Sequence, residues 1–245
     1  MWNSRFSRAT HGGRSHMAVA VALLMCVGLV ACTAAEAPSP ASTTEAEAVV
    51  PLPEPAPGGD PEDVDAGTYV VTGFTVPFQI TVPEGWKTFG WGVLKEEAGE
   101  WGVFVNFNGP ESVPTDACQW RGAFVNVDPS PEAYVDAMAA QTSSQTTPPV
   151  EVVMGDYSGY EFDYARESDI DNTDCDVERV CLFSGLNATE CGRTHEGVHE
   201  RETERVLDLN GELAMIAVGQ FKEVDPALTA EARAVFDSIE FESSD

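Results

Sequence analysis

The chain has 245 residues, 43% of them hydrophobic, and sets 13 Lys and Arg against 41 Asp and Glu for a formal charge of −28. Such a field excludes nucleic acid and anionic lipid headgroups as attractive partners and leaves cations, basic proteins and solubility as its correlates. The length suits one domain with a real core plus additional chain, and the charge alone says nothing about fold.

Residues 1–31 read as a signal segment. Arg5, Arg8 and Arg14 precede an apolar run from Met17 to Val30 that is too short to span a bilayer. The run ends Leu29-Val30-Ala31-Cys32, which resembles the lipobox of bacterial lipoproteins. That resemblance implies cleavage after Ala31, a diacylglycerol thioether on Cys32 with acyl chains such as palmitate, and a mature protein lipid-anchored at the extracytoplasmic side of the cell membrane. An ordinary signal peptide cleaved elsewhere is the competing reading. The small residue before Cys32 and the abrupt change of composition after it favour lipidation. Removing the signal takes three Arg and no acid, so the mature chain is more acidic still.

Residues 32–67 read as a disordered, lipid-anchored linker. From Thr33 to Gly67 the chain is rich in Ala, Pro, Ser, Thr and Glu, without Lys or Arg and without apolar periodicity. Pro51, Pro53, Pro55 and Pro57 favour polyproline-II geometry, and at about 3.1 Å per residue the stretch reaches roughly 100 Å when extended. A spacer is the expected role.

Residues 68–245 read as a single globular domain. Tyr69 to Phe74, Phe78 to Val82, Gly92 to Lys95 and Trp101 to Phe107 have strand patterning, with a turn at Pro83-Glu84-Gly85-Trp86. Ser130-Pro131-Glu132 is a helix start, with Ser as N-cap and Pro at the first helical position, and the helix is expected to end near Gln141. Val150 to Met154 and Tyr160 to Tyr164 flank a Gly-rich turn. Val206 to Leu209 and Leu213 to Val218 flank Asn210-Gly211, which suits the two positive-φ positions of a type I′ hairpin. Asp225-Pro226 opens a second helix that closes before Ile239. The expected class is α+β, an antiparallel sheet covered by helices.

Phe78-x-Ile80-x-Val82-Pro83-x-Gly85-Trp86, Gly155-Asp156-Tyr157-Ser158-Gly159, Leu207-Asp208-Leu209-Asn210-Gly211 and the terminal Asp237-Ser238-Ile239 resemble bacterial LpqN-type lipoproteins with a PsbP-like domain. The resemblance implies a PsbP-like α/β/α sandwich, no catalytic residues, and binding or assembly roles. It also implies a Cys118–Cys175 bridge, because Cys118 beside Trp120 and an acidic segment holding Cys175 fit that group.

Of the six cysteines, Cys26 leaves with the signal and Cys32 takes the lipid, so Cys118, Cys175, Cys181 and Cys191 remain for disulfides in an oxidising compartment. Four cysteines allow three connectivities. The short spacing of Cys181 and Cys191 favours a local bridge, against a structural zinc site formed with His195 and His199. His195-Glu196-Gly197-Val198-His199 matches the H-E-x-x-H motif of zinc hydrolases. Gly197 and the charged neighbours Arg193 and Glu200 argue against the helix that motif needs, so loop histidines and no metal are expected. Asp169 to Asp176 places carboxylates at alternate positions, as a calcium loop does, but Asp174 stands where an EF-hand needs Gly. Asn187-Ala188-Thr189 is a glycosylation sequon that a bacterial lipobox makes coincidental.

No nucleophilic triad, phosphate loop or cofactor fingerprint is legible. The expectation is therefore a monomeric, non-enzymatic binding or interaction module without cofactor, partnered by the membrane through its lipid and by an envelope protein or small ligand. A hydrophobic-ligand carrier and a zinc hydrolase through residues 195–199 are the alternatives.

Overall fold

The strand Leu213–Gln220 is apolar at nearly every position because it lies in the middle of a sheet that is buried on both faces. The computed structural model describes residues 49–55, 59–185 and 189–241. The signal segment, Cys32, most of the linker and Asn187 lie outside these residues. From edge to edge the large sheet runs Ser144–Thr146, Tyr157–Arg166, Arg201–Asp208, Leu213–Gln220, Glu100–Asn108, Gly92–Glu97, Trp86–Phe89 and Glu62–Val64, with Val150–Met154 also paired to Tyr157–Arg166. Every pairing in it is antiparallel.

Side chains alternate across this sheet, so one strand feeds two cores. Ala214, Ile216 and Val218 enter the first core, and Leu213, Met215 and Ala217 enter the second. A four-stranded sheet of Val50–Pro51, Gly67–Val71, Phe78–Val82 and Glu240–Phe241 covers the first core. Of the two α-helices among the described residues, α1 (Pro131–Ala140) lies on the second core and α2 (Pro226–Asp237) on the first. The hairpin of Val180–Ser184 with Cys191–His195 completes the second cover through Leu182 and Phe183.

This arrangement corrects the expected helix-covered α/β/α sandwich. The described chain is mostly strand, arranged in several sheets. Eight strands at about 4.8 Å spacing make a sheet roughly 34 Å wide. Helices of 10 and 12 residues span only about 15–18 Å. The remaining area is closed by further β-structure, drawn from segments rich in Val, Tyr, Phe and Ile. The expected linker boundary also moves: Val50–Pro51 pairs with Tyr69 and Val70, and Glu62–Val64 pairs with Trp86 to Thr88, so paired backbone begins before Thr68. Buried Pro55 and Val64 and half-buried Leu52 hold those segments down.

The local signals have the expected chemistry. Ser130 Oγ accepts from Ala133 N at 3.2 Å, and Asp225 Oδ1 accepts from Ala227 N at 2.8 Å, so each helix begins on a side-chain cap. Asn210 and Gly211 take φ of 60° and 94°, which turns the chain between the two longest-paired strands. Gly219 is required by a close approach: a Cβ there would lie 2.5 Å from both the Phe104 ring and Arg201 O.

Cys118 is bonded to Cys175 and Cys181 to Cys191. The first joins residues 57 apart and, with Ala117 and Val180, forms a small satellite core, whereas the second joins residues 10 apart within one hairpin. Loop-closure entropy then predicts a loss of about 4 kcal/mol for paired Cys118→Ser and Cys175→Ser and about 3 kcal/mol for paired Cys181→Ser and Cys191→Ser. Urea unfolding of the two double variants checks the order; a larger loss from the local pair contradicts it.

Candidate functional site

The most unusual chemistry in the fold is a set of glutamates taken out of water. Residues two apart on a strand share a face, so Glu202 and Glu204 on Arg201–Asp208 both point into the second core, where they are 3% and 0% exposed. Glu200, just before the strand, is also buried and accepts hydrogen bonds from the backbone of Glu196 and of Gly197, the latter at 2.9 Å. Burial raises the Glu200 carboxyl, and His195, the Gly197 N–H and Arg193 oppose the rise.

One permanent cation serves this group. Arg193, on the disulfide-closed hairpin, donates from Nε and Nη2 to Glu202 Oε2 at 3.1 and 2.8 Å. Its guanidinium carbon sits 4.4 Å from the centroid of the Phe104 ring, which itself packs into the space Gly219 leaves. His195, fully buried, places Nε2 3.6 Å from Glu202 Oε2 and its ring 5.4 Å from that of Tyr164. Burial alone would raise Glu202, but Arg193 and His195 overcome it and hold the carboxylate down at about 2.

Glu204 goes the other way. Burial, and then the charge on Glu202, push its carboxyl well above the usual range, and Tyr134 on α1 donates to its Oε2 at 3.0 Å. Oε1 of Glu202 and Oε1 of Glu204 are buried acceptors without a donor. Pushed upward in this way, the Glu204 carboxyl favours its protonated form, in which it would be a donor for Glu202 and leave the pair one negative charge for Arg193 to balance. Tyr134 and Tyr164 are themselves held protonated by burial. Tyr164 Oη donates to Gln141 Oε1 at 3.0 Å, and Gln141 Nε2 reaches the carbonyls of Pro114 and Leu182 at 3.1 Å, so the end of α1 is tied to the same cluster. Sealed from solvent, these groups hold the hairpin, α1 and the sheet together rather than meeting a substrate.

Above this cluster the surface is aromatic. Trp91 and Trp101 are 53% and 45% exposed, and both contact half-buried Phe89, with centroids 6.4 and 6.3 Å away. Trp101 meets Phe221 at 5.3 Å, and Phe221 meets Phe104 at 4.7 Å. The strip therefore runs from the surface down to the ring on which Arg193 rests. On the opposite face, a groove of about 930 Å³ opens between α2 and the sheet, with Asp163, Arg201, Thr203, Val224, Thr229 and Arg233 in its walls.

The H-E-x-x-H residues are not brought together. His195 ends a strand and points inward, Glu196 pairs outward with Arg179 at 3.1 Å, and exposed His199 lies in the turn that follows. The segment is not helical, which removes the geometry of the zinc-hydrolase alternative. Its cysteine neighbours, Cys181 and Cys191, are bonded to each other. The carboxylates of residues 169–176 also diverge: Asp171 caps Thr173 N at 2.9 Å, and Asp176 accepts from Arg121 N at 2.7 Å. Among the described residues no group of three or more His, Cys, Asp or Glu side chains has metal-site geometry, and no helix is long and apolar enough to cross a membrane.

Sequence reasoning missed the buried glutamates because it began the strand at Val206. Their signal was the period-two spacing of Glu200, Glu202 and Glu204, masked because Arg201, Thr203 and Arg205 between them are polar as well.

No protein-family profile matches the chain, and no curated protein does. Among solved structures it is similar to the solution structure of cyanobacterial PsbP (CyanoP) from Synechocystis sp. PCC 6803, at 12% identity over 76% of this chain and 100% of that one, with a TM-score of 0.32. A superposition that loose carries no argument about role.

The two glutamates respond oppositely to pH. Glu204 sits above its ordinary 4.5, so its contribution to stability is whole below that value and is lost as pH rises toward the folded one. Glu202 sits below 4.5, at about 2, so its contribution is whole above 4.5 and is lost as pH falls toward 2. Glu204→Gln, whose amide donates without titrating, is expected to raise the melting temperature at about pH 8 relative to the parent. Glu202→Gln is expected to cost about 3–5 kcal/mol at neutral pH by stranding Arg193. Melting curves across about pH 3–9 decide it; a Glu204→Gln protein less stable than the parent at about pH 8 contradicts the shared proton.

Proposed function

We propose that the chain is an extracytoplasmic lipoprotein of LpqN type, anchored through Cys32, whose folded part is a non-catalytic interaction module. One observation carries the reading of the module: two half-exposed tryptophans, Trp91 and Trp101, joined through Phe89 on one face of the sheet. Tryptophan is costly to leave in water and is the residue most enriched at the energetic centres of interfaces. The lipobox and the acidic, proline-rich spacer support the anchor and the reach. The core and turn residues Phe78 to Trp86 and Leu207 to Gly211 support the kinship.

Cys32→Ala is expected to move the protein from the membrane fraction to the soluble fraction; retention in membranes contradicts the anchor. Trp91→Ala with Trp101→Ala is expected to weaken binding of the protein to isolated cell envelopes tenfold or more while circular dichroism and melting temperature stay near the parent's. Equal binding by parent and double variant contradicts the docking surface.

The groove beside α2 favours a second reading, carriage of a hydrophobic ligand, because Val218, Val224, Pro226 and Ala230 line part of it. A fluorescent fatty acid that binds the parent, and binds Ala230→Trp markedly less, supports carriage; equal binding removes it.

A further inference from the structure

The aromatic strip has a chemical character more specific than apolar. Ring faces are electron-rich and attract cations, most strongly on tryptophan. The fold already uses this attraction from beneath, where Arg193 packs 4.4 Å from the centroid of Phe104 and 5.7 Å from that of Phe221. Carboxylates border the strip on the outside. Glu96 stands directly opposite Trp101 in register, and Asp63 stands opposite Lys87, which shares a face with Phe89. Asp63, on the edge strand, and Asp60, among the residues leading into it, are exposed, and neither has an ion-pair partner among the described residues. The cations nearest the strip are already committed, Lys87 to Glu96 at 3.0 Å and Lys222 to Glu100 at 2.7 Å. The whole chain carries −28, so an approaching basic segment is steered inward while an anionic surface is repelled.

Resting on the reading of the strip as a docking surface, we propose that its partner is an arginine- or lysine-rich extended segment of another envelope protein. The cationic side chains stack on Trp91 and Trp101, and their neighbours pair with Asp63 and with Asp60 beside it. Cation–π contact supplies the part of the affinity that survives salt, and the carboxylates supply the part that does not.

The probe is a fluorescein-labelled peptide of six Arg-Ser repeats, compared by anisotropy with the same peptide carrying citrulline, which keeps the shape of arginine without its charge, and with labelled chitohexaose. The purified full-length chain is used throughout. The expected result is saturable binding of the arginine peptide, at least tenfold weaker binding of the citrulline peptide, and at least a tenfold loss with Trp91→Ala and Trp101→Ala. Trp91→Phe with Trp101→Phe is expected to recover part of that loss. Asp60→Asn with Asp63→Asn is expected to weaken binding several-fold at low salt and little at high salt. Arginine-peptide binding unaffected by the tryptophan variant overturns the inference, since it then reports only the net charge. Equal binding of the citrulline peptide, or preferential binding of chitohexaose, both lost in the tryptophan variant, overturns the cationic partner and leaves the docking surface standing. Silence of every probe also overturns the cationic partner, and the envelope-binding comparison then judges the surface separately.

Discussion

Arg193 and Glu202 meet at 2.8 Å with almost no water around either side chain, at 11% and 0% side-chain exposure. A pair placed so deep spends much of its attraction on desolvation, so its worth lies less in net stability than in what fails if one partner is missing. Arg193 belongs to the disulfide-closed hairpin and Glu202 to the large sheet, and the contact fixes how one lies on the other. The same guanidinium supports Phe104, which supports Phe221, which supports Trp101. Surface and interior are therefore one mechanical unit on this face.

The second core can tolerate that ionic content because the sheet has two cores. The first is nearly wholly apolar, built around Trp86, Phe78, Ile80, Ile216 and Phe236, and supplies area that the polar cluster does not. Contacts of mixed character tie α2 to it: Trp86 Nε1 and Lys95 Nζ converge on Glu231 Oε1 at 2.9 and 2.8 Å. Arg205 and Arg233 share Glu161 and Asp237 over the ring of Phe236. These last ion pairs are partly wet and position the helix more than they stabilise it. A domain so arranged can place glutamates inside without losing cooperativity, provided each charge is balanced or protonated.

Local signals were legible in the sequence wherever one residue type has one geometric use. Ser130-Pro131 and Asp225-Pro226 start helices, and Asn210-Gly211 turns a hairpin, because caps and positive φ admit few residues. Global cover was not legible. Nothing in Thr68 to Val82 or Val180 to His195 states whether a β-rich segment extends an existing sheet or lays a second layer over it, and that choice separated the observed architecture from a helix-covered one. The ionic cluster was hidden for a different reason. Burial of Glu202 depends on Arg193, nine residues earlier, folding back as the neighbouring cover, and strand patterning contains no mark for a carboxylate whose counter-charge arrives from another sheet. Trp101 read as an ordinary strand aromatic and Trp91 carried no signal of its own, since exposure is decided by whether another element covers a side chain.

One edge of the large sheet is the strand Glu62–Val64, which leaves one side of its backbone unpaired among the described residues. Open edges invite a second copy to add its own strand and continue the sheet without limit. Here the edge is three residues long and carries Glu62 and Asp63, with Asp60 and Asp65 on either side. Two copies meeting edge to edge would bring like charges together along the whole seam, at a separation well inside the ~8 Å over which salt screens them. The brevity and acidity of this strand oppose continuation of the sheet from this edge when molecules are crowded together.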